Sequence, residues 1–146
     1  IYDPVRRIGG MNHFLLPGTD PRERQNIKYG AYAMEQLINM VLSKGTGKKS
    51  NLEFKIFGGG NIHAGMQDVG IKNIEFVREF LRNENYTIEK EDLGGSFARR
   101  VLFKPVTGRA FVKRLESKDN ARLVREELAI ASRQIVTPAA DDIELF

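Results

Sequence analysis

The chain has 146 residues, 41% hydrophobic and 29% charged, the composition of one globular domain with a single core. It has no cysteine and only two histidines, His13 and His63, which excludes disulfides, thiolate metal sites and histidine-rich metal sites. The net charge of +4 is interspersed with acids rather than gathered in a tract, which argues against nucleic acid as a partner, and no apolar run reaches the ~20 residues of a membrane span. No secretory signal is visible, so a cytoplasmic protein without membrane insertion is expected.

The chain begins Ile1-Tyr2-Asp3-Pro4, without Met. This reads as the tail of an apolar strand entering an Asp-Pro turn, so further residues upstream are expected. Arg6-Arg7 continues the turn, and the next segment should return as the second arm of a hairpin. That segment is Ile8-Gly9-Gly10-Met11-Asn12-His13-Phe14-Leu15-Leu16-Pro17. Its apolar residues predict a buried strand, which Pro17 ends because proline has no N–H to donate. Gly9-Gly10 allows a bend or a close approach of another segment. His13 on this strand is either a satisfied core residue or a catalytic base.

Pro17 to Lys28 reads as a polar loop. Met34, Leu37, Ile38, Val41 and Leu42 recur at helical spacing and predict a helix over Tyr29 to Leu42. The basic loop from Lys44 to Ser50 lacks the first glycine of a phosphate loop and follows a helix, which argues against nucleotide binding. Leu52 to Phe57 alternates apolar and polar residues as a strand does, then enters Gly58-Gly59-Gly60-Asn61. Those glycines form either a tight turn or a wall of exposed N–H groups able to hold an oxyanion. His63 reads as a surface residue.

A second helix is predicted from about Val69 or Gly70 to Arg82, with Asn73 facing solvent or a site. Tyr86 to Ile88 is a short strand, and Glu89 to Asp92 an exposed acidic segment. After the glycine turn Leu93-Gly94-Gly95-Ser96, the strands Phe97 to Phe103 and Ala110 to Leu115 form a hairpin. Ser117 would cap a last helix over Lys118 to Arg133. The domain spans residues 1–138, and residues 139–146 form a mobile tail.

Several segments, in order, resemble the chemoreceptor glutamine deamidases of the CheD family. Gly9 to Pro17 resembles its GG-x-x-H-x-x-LP segment, and Lys55-Ile56-Phe57-Gly58-Gly59-Gly60 its K-x-FGG strand and turn. Tyr29-Gly30 with Ala33, Glu35, Leu37 and Ile38 resembles its first helix, and Val69-Gly70 with Asn73 the start of its second. Asp92-Leu93-Gly94-Gly95 with Arg99, Thr107-Gly108 and Val112-Lys113 resembles its last hairpin. The resemblance implies an α+β fold: a layered α/β/β sandwich of mixed and antiparallel sheets, two helices packed on them and a C-terminal helix. It implies a cofactor-free and metal-free amidohydrolase that converts receptor glutamine side chains to glutamate in bacterial chemotaxis. The family uses a Cys nucleophile, a His base that maps onto His13, and a Thr that orients the His. The Cys and Thr are implied to lie upstream of Ile1, so the chain as given is expected to be inactive by itself. Gly58, Gly59, Asn73, Gly94, Gly95 and Arg99 are the candidate substrate-binding residues. Implied partners are methyl-accepting chemotaxis receptors and the phosphatase CheC. The alternative is a non-catalytic module that binds receptor helices or CheC.

Overall fold

The computed structural model describes residues 1–16, 23–62, 67–115, 125, 126 and 129. Its elements are β1 (Tyr2–Asp3), β2 (Ile8–Gly9), α1 (Glu23–Lys44), β3 (Phe54–Gly58), α2 (Gln67–Asn83), β4 (Ile88–Leu93), β5 (Arg99–Lys104) and β6 (Arg109–Arg114). A 3-10 turn at Lys49–Asn51 precedes β3.

The core forms where two helical faces meet one strand. α1 buries Met34, Leu37, Ile38 and Val41, a row repeating at three and four residues. α2 adds Val77 and Leu81, with Phe76 and Phe80 partly buried beside them. β3 supplies Phe54 and Ile56, and the Phe54 ring lies 4.5 Å from that of Tyr86. Full burial of a side chain such as Phe54 contributes about 1.5–3 kcal/mol. α2 stops because Asn85 takes a left-handed φ of 60°. Tyr86 N–H then donates to Leu81 O at 2.8 Å and Asn85 N–H to Arg82 O at 3.0 Å, a Schellman closure.

β3 and β4 pair in parallel, which requires a crossover, and α2 supplies it. Phe54 faces Ile88, then the register slips so that Lys55 faces Lys90 and Gly58 faces Leu93. β5 and β6 form an antiparallel hairpin. Successive side chains of β3 leave on opposite faces. Phe54 and Ile56 meet the helices, whereas the Lys55 amine donates to Gly108 O at the β5–β6 turn, 2.7 Å away. The layers are therefore helices, then β3–β4, then the β5–β6 hairpin: the α/β/β order that the resemblance implies.

β1 joins these layers. It pairs antiparallel with β2, Tyr2 opposite Gly9 and Asp3 opposite Ile8. Its other edge exchanges two bonds with Glu53, at 3.0 and 2.8 Å. The Tyr2 hydroxyl donates to Val106 O at 3.0 Å, in the β5–β6 turn. The Asp3 side chain is 0% exposed. Its carboxylate accepts from Val5 N–H (3.0 Å), Arg6 N–H (3.2 Å), Thr46 N–H (2.7 Å) and the Thr46 hydroxyl (2.6 Å). Burial pushes this carboxyl's pKa up, but the four donors outweigh that and hold it below the ordinary 3.8.

Besides shifts of one to three residues at the ends of α2, β5 and β6, the structure differs from the expected elements as follows. Met11 to Leu16 is not a strand: β2 ends at Gly9, and beyond Gly10 no main chain of the described residues lies alongside to complete a ladder. α1 begins at Glu23, so residues 23–28 are helical rather than loop; their polar sequence hid the turn and a half that precedes the apolar row. β3 begins at Phe54 rather than Leu52. Glu89 to Asp92 is exposed on its acidic side but belongs to β4, because the parallel ladder with β3 recruits it. His63, most of the last helix and the tail lie outside the described residues; Arg125, Glu126 and Ala129 are helical.

Replacing Asp3 with Ala removes the acceptor of the Thr46 hydroxyl and of three part-buried N–H groups, and urea unfolding should show a loss of about 1–3 kcal/mol. The contribution of the ionised carboxylate is present above pH 3.8 and is lost as pH falls through its lower folded value. Acid titration of the wild type against Asp3→Asn should show that loss in the wild type alone.

Candidate functional site

A cleft of about 430 Å³ runs along β3 and past the carboxyl ends of β3 and β4, where Gly58, Gly59, Gly60 and Leu93 line it. The ends of parallel strands are where ligands sit in sheets of this kind. Met11 to Leu15 form one wall, the first turns of α2 another, and Phe97, Ala98 and Arg99 a third.

His13 stands on the first wall. It is exposed, yet the residues around it are anchored. Phe14 meets the Phe76 ring edge-on at 5.5 Å, and Leu16 is buried. The Leu16 main chain is gripped by Asn73, whose Oδ1 accepts from Leu16 N–H at 3.0 Å and whose Nδ2 donates to Leu16 O at 3.2 Å. Nδ2 also donates to Val69 O at 2.7 Å. Upstream, Gly10 passes so close to α1 that a Cβ there would lie 2.6 Å from Leu37 Cδ1. Close approach, not a left-handed bend, is what this glycine permits. The main chain that carries His13 is thereby anchored on both sides, and His13 borders the cleft.

The glycine turn after β3 is shaped by contact with α2. Gly59 has a left-handed φ of 63°. A Cβ on Gly70 would come within 2.5 Å of Gly59 O, so the two backbones touch directly. Gly94 and Gly95 do not line the cleft. Gly94 N–H donates to Gly58 O at 2.8 Å, and Gly95 O accepts from Asn61 N–H at 2.7 Å, so this pair braces the turn from behind. Asn73 does border the cleft, but its amide is committed to Leu16 and Val69 and positions the His13 segment.

Arg99 lines the cleft with a side chain only 3% exposed. Its Nη2 donates to Asp92 Oδ1 at 2.8 Å, and its guanidinium lies 4.5 Å from the centre of the Phe97 ring. Arg114 covers the same ring at 4.5 Å and approaches Asp92 Oδ1 to 3.7 Å. The hydrogen bond from Arg99, joined by the charges of both arginines, holds the Asp92 carboxyl below its ordinary range. Arg99 Nε and Nη1 are buried without a partner among the described residues, donors that a cleft occupant or a water would satisfy. The ion pair of Arg99 with Asp92 is thus a largely buried one. Asp92 and Phe97 are not among the candidate site residues of the sequence reading, although the resemblance includes Asp92. The opposed charges of Asp92 and Arg99 across the Gly94-Gly95 turn were the available signal.

The fold and cleft define a small α+β protein whose apolar, glycine-floored groove is bordered by His13. Residues 15–114 match the family model described as CheD chemotactic sensory transduction. The chain is 45% identical over 151 residues to a Hahella chejuensis protein named "Probable chemoreceptor glutamine deamidase CheD", with 100% of this chain and 71% of that protein covered. Proteins of the same name from Thiobacillus denitrificans and Methylobacillus flagellatus are 47% and 44% identical over 152 and 153 residues, each covering 100% of this chain and 75% of the relative. This chain belongs to the CheD family.

Replacing a helical glycine by alanine ordinarily stabilises by about 1 kcal/mol. For Gly70→Ala the sign should reverse, a net loss of about 1–3 kcal/mol, because the new methyl meets the Gly59 carbonyl. A raised urea midpoint would show instead that the turn yields.

Proposed function

We propose that this chain carries the base and the substrate groove of a chemoreceptor glutamine deamidase. His13 carries the proposal: it is an imidazole on an anchored segment, open to a groove wide enough for a side chain. An amide resists water at neutral pH, so a stronger nucleophile is needed. With no cysteine between Ile1 and Phe146, the proposed thiol comes from chain joined before Ile1.

The ladder supports that origin. Ile1 and Gly10 already exchange bonds, Ile1 N to Gly10 O at 2.9 Å and Gly10 N–H to Ile1 O at 3.0 Å. Extended in register, the third residue before Ile1 falls opposite His13, and alternate residues share its face. A cysteine an odd number of residues upstream of Ile1 would therefore lie on the imidazole's side, and the family's threonine would belong to the same extension.

In the proposed reaction His13 takes the thiol proton and the thiolate adds to the glutamine Cδ carbonyl. The tetrahedral adduct collapses to a thioester as His13 protonates the departing nitrogen, releasing ammonia. Water, deprotonated by His13, then adds to the thioester and releases glutamate, and the thiol is regenerated. N–H donors at the Gly58-Gly59 turn are candidates for holding the oxyanion, each such donor being worth about 3 kcal/mol. Arg99 offers its unpartnered nitrogens to a carbonyl or carboxylate of the receptor segment.

We assign receptors as the protein substrate and the cytoplasm as the site of action, and retain CheC as a partner on the family resemblance alone. No helix among the described residues is long and apolar enough to cross a membrane. For residues 1–146 by themselves, the lack of a thiol favours binding without turnover. Mass spectrometry of a receptor fragment incubated with the full-length protein should show amide-to-acid conversion. His13→Ala should slow it by about 10²–10⁴-fold. An unchanged rate in that variant would overturn His13 as the base.

A further inference from the structure

The outer face of the β5–β6 hairpin has no place in the chemistry above. Along β5 and β6, Val101, Phe103, Ala110 and Val112 turn inward, and Arg100, Leu102, Lys104, Arg109, Phe111 and Lys113 turn out. Their register stacks three rungs: Arg100 opposite Lys113, Leu102 opposite Phe111, Lys104 opposite Arg109. Like charges directly opposite each other are destabilising in a sheet, so local stability does not account for either outer rung. None of the four cations has an ion-pair partner among the described residues. The middle rung is apolar and open, Leu102 60% and Phe111 42% exposed. Lys104 and Arg109 lean over the Phe111 ring, at 5.5 and 5.2 Å.

We infer that this face docks an amphipathic, acid-flanked α-helix of a protein partner, laid across the two strands. Its apolar stripe covers Leu102 and Phe111, and its acids meet Arg100 and Lys113 along one flank and Lys104 and Arg109 along the other. Spacing and charge both select this occupant. Outer rungs four residues apart stand about 14 Å from each other, which brackets a helix about 10–12 Å across. A second copy of the same face is disfavoured, because cation rungs would meet cation rungs. A lipid surface is disfavoured, because interfacial binding grows with inserted apolar area and the outward strand positions offer just Leu102 and Phe111. The inference does not depend on the deamidase reading, since it concerns binding to a face outside the cleft.

The test uses a fluorescein-labelled helical peptide with a leucine stripe bracketed by glutamates, read by anisotropy with the full chain. Binding should weaken with rising salt, and by about tenfold or more in the double variant Arg100→Glu, Lys113→Glu. The double variant Lys28→Glu, Lys90→Glu changes net charge equally on exposed residues elsewhere and should leave binding unchanged. Leu102→Ser should weaken binding as well, while far-UV circular dichroism of every variant stays that of the wild type. Equal weakening by both charge-reversed pairs would overturn the inference, leaving only net attraction. So would binding to phosphatidylserine vesicles but not to the peptide. Peptide binding that appears only once residues 139–146, with Asp141, Asp142 and Glu144, are deleted would assign the face to the chain's own tail and overturn a partner helix.

Discussion

One buried carboxylate sets the frame in which the cleft is built. Asp3 sits in a two-residue strand that is too short to hold itself, and its oxygens collect donors from its own turn and from Thr46, just past α1. A lone buried carboxylate would be expelled or neutralised; four donors make it a cross-link. Through it the β1–β2 turn is fixed to the end of α1, while Tyr2 reaches the β5–β6 turn and Glu53 ties β1 to the entry of β3. The position of Gly10, and so of the His13 segment, follows from those bonds.

The cleft is then shaped mainly by where glycine backbones admit a close neighbour. Gly10 admits Leu37, and Gly59 admits the first turn of α2. Each contact removes a side chain and so brings a helix a few ångströms closer to a loop. The polar groups around the cleft divide their work accordingly. Asn73 fixes a main-chain segment, Gly94 and Gly95 fix a turn, and Arg99 keeps donors unspent. Proximity to the cleft alone does not distinguish these roles; hydrogen-bond accounting does.

The helical rows were legible because Met34, Leu37, Ile38 and Val41 repeat at a spacing that only a helix places on one face. The hairpin of β5 and β6 was legible from its turn residues. The His13 segment was legible as an anchored apolar run with one imidazole, but not as an unpaired one: apolar sequence reports burial, whereas strand assignment needs a neighbouring main chain. Glu89 to Asp92 misled in the opposite sense, since its charges report solvent on one face and say nothing of the ladder along its edge. The tasks of Asn73 and of the Gly94-Gly95 pair depend on partners 57 and about 35 residues away, a separation that local pattern does not encode.

The main chain from Met11 to Leu15 has a further consequence. Its peptide groups have no ladder partner among the described residues, beside a rung that Ile1 and Gly10 have already closed. Such an edge accepts any extended segment of suitable shape, because peptide bonds recognise each other without regard to connectivity. Covalent attachment at Ile1 is one way to deliver that segment; donation in trans is another. On the reading proposed for His13, with the thiol on that segment, such an architecture is in principle divisible, base and nucleophile lying on separate polypeptides that reassemble by strand complementation.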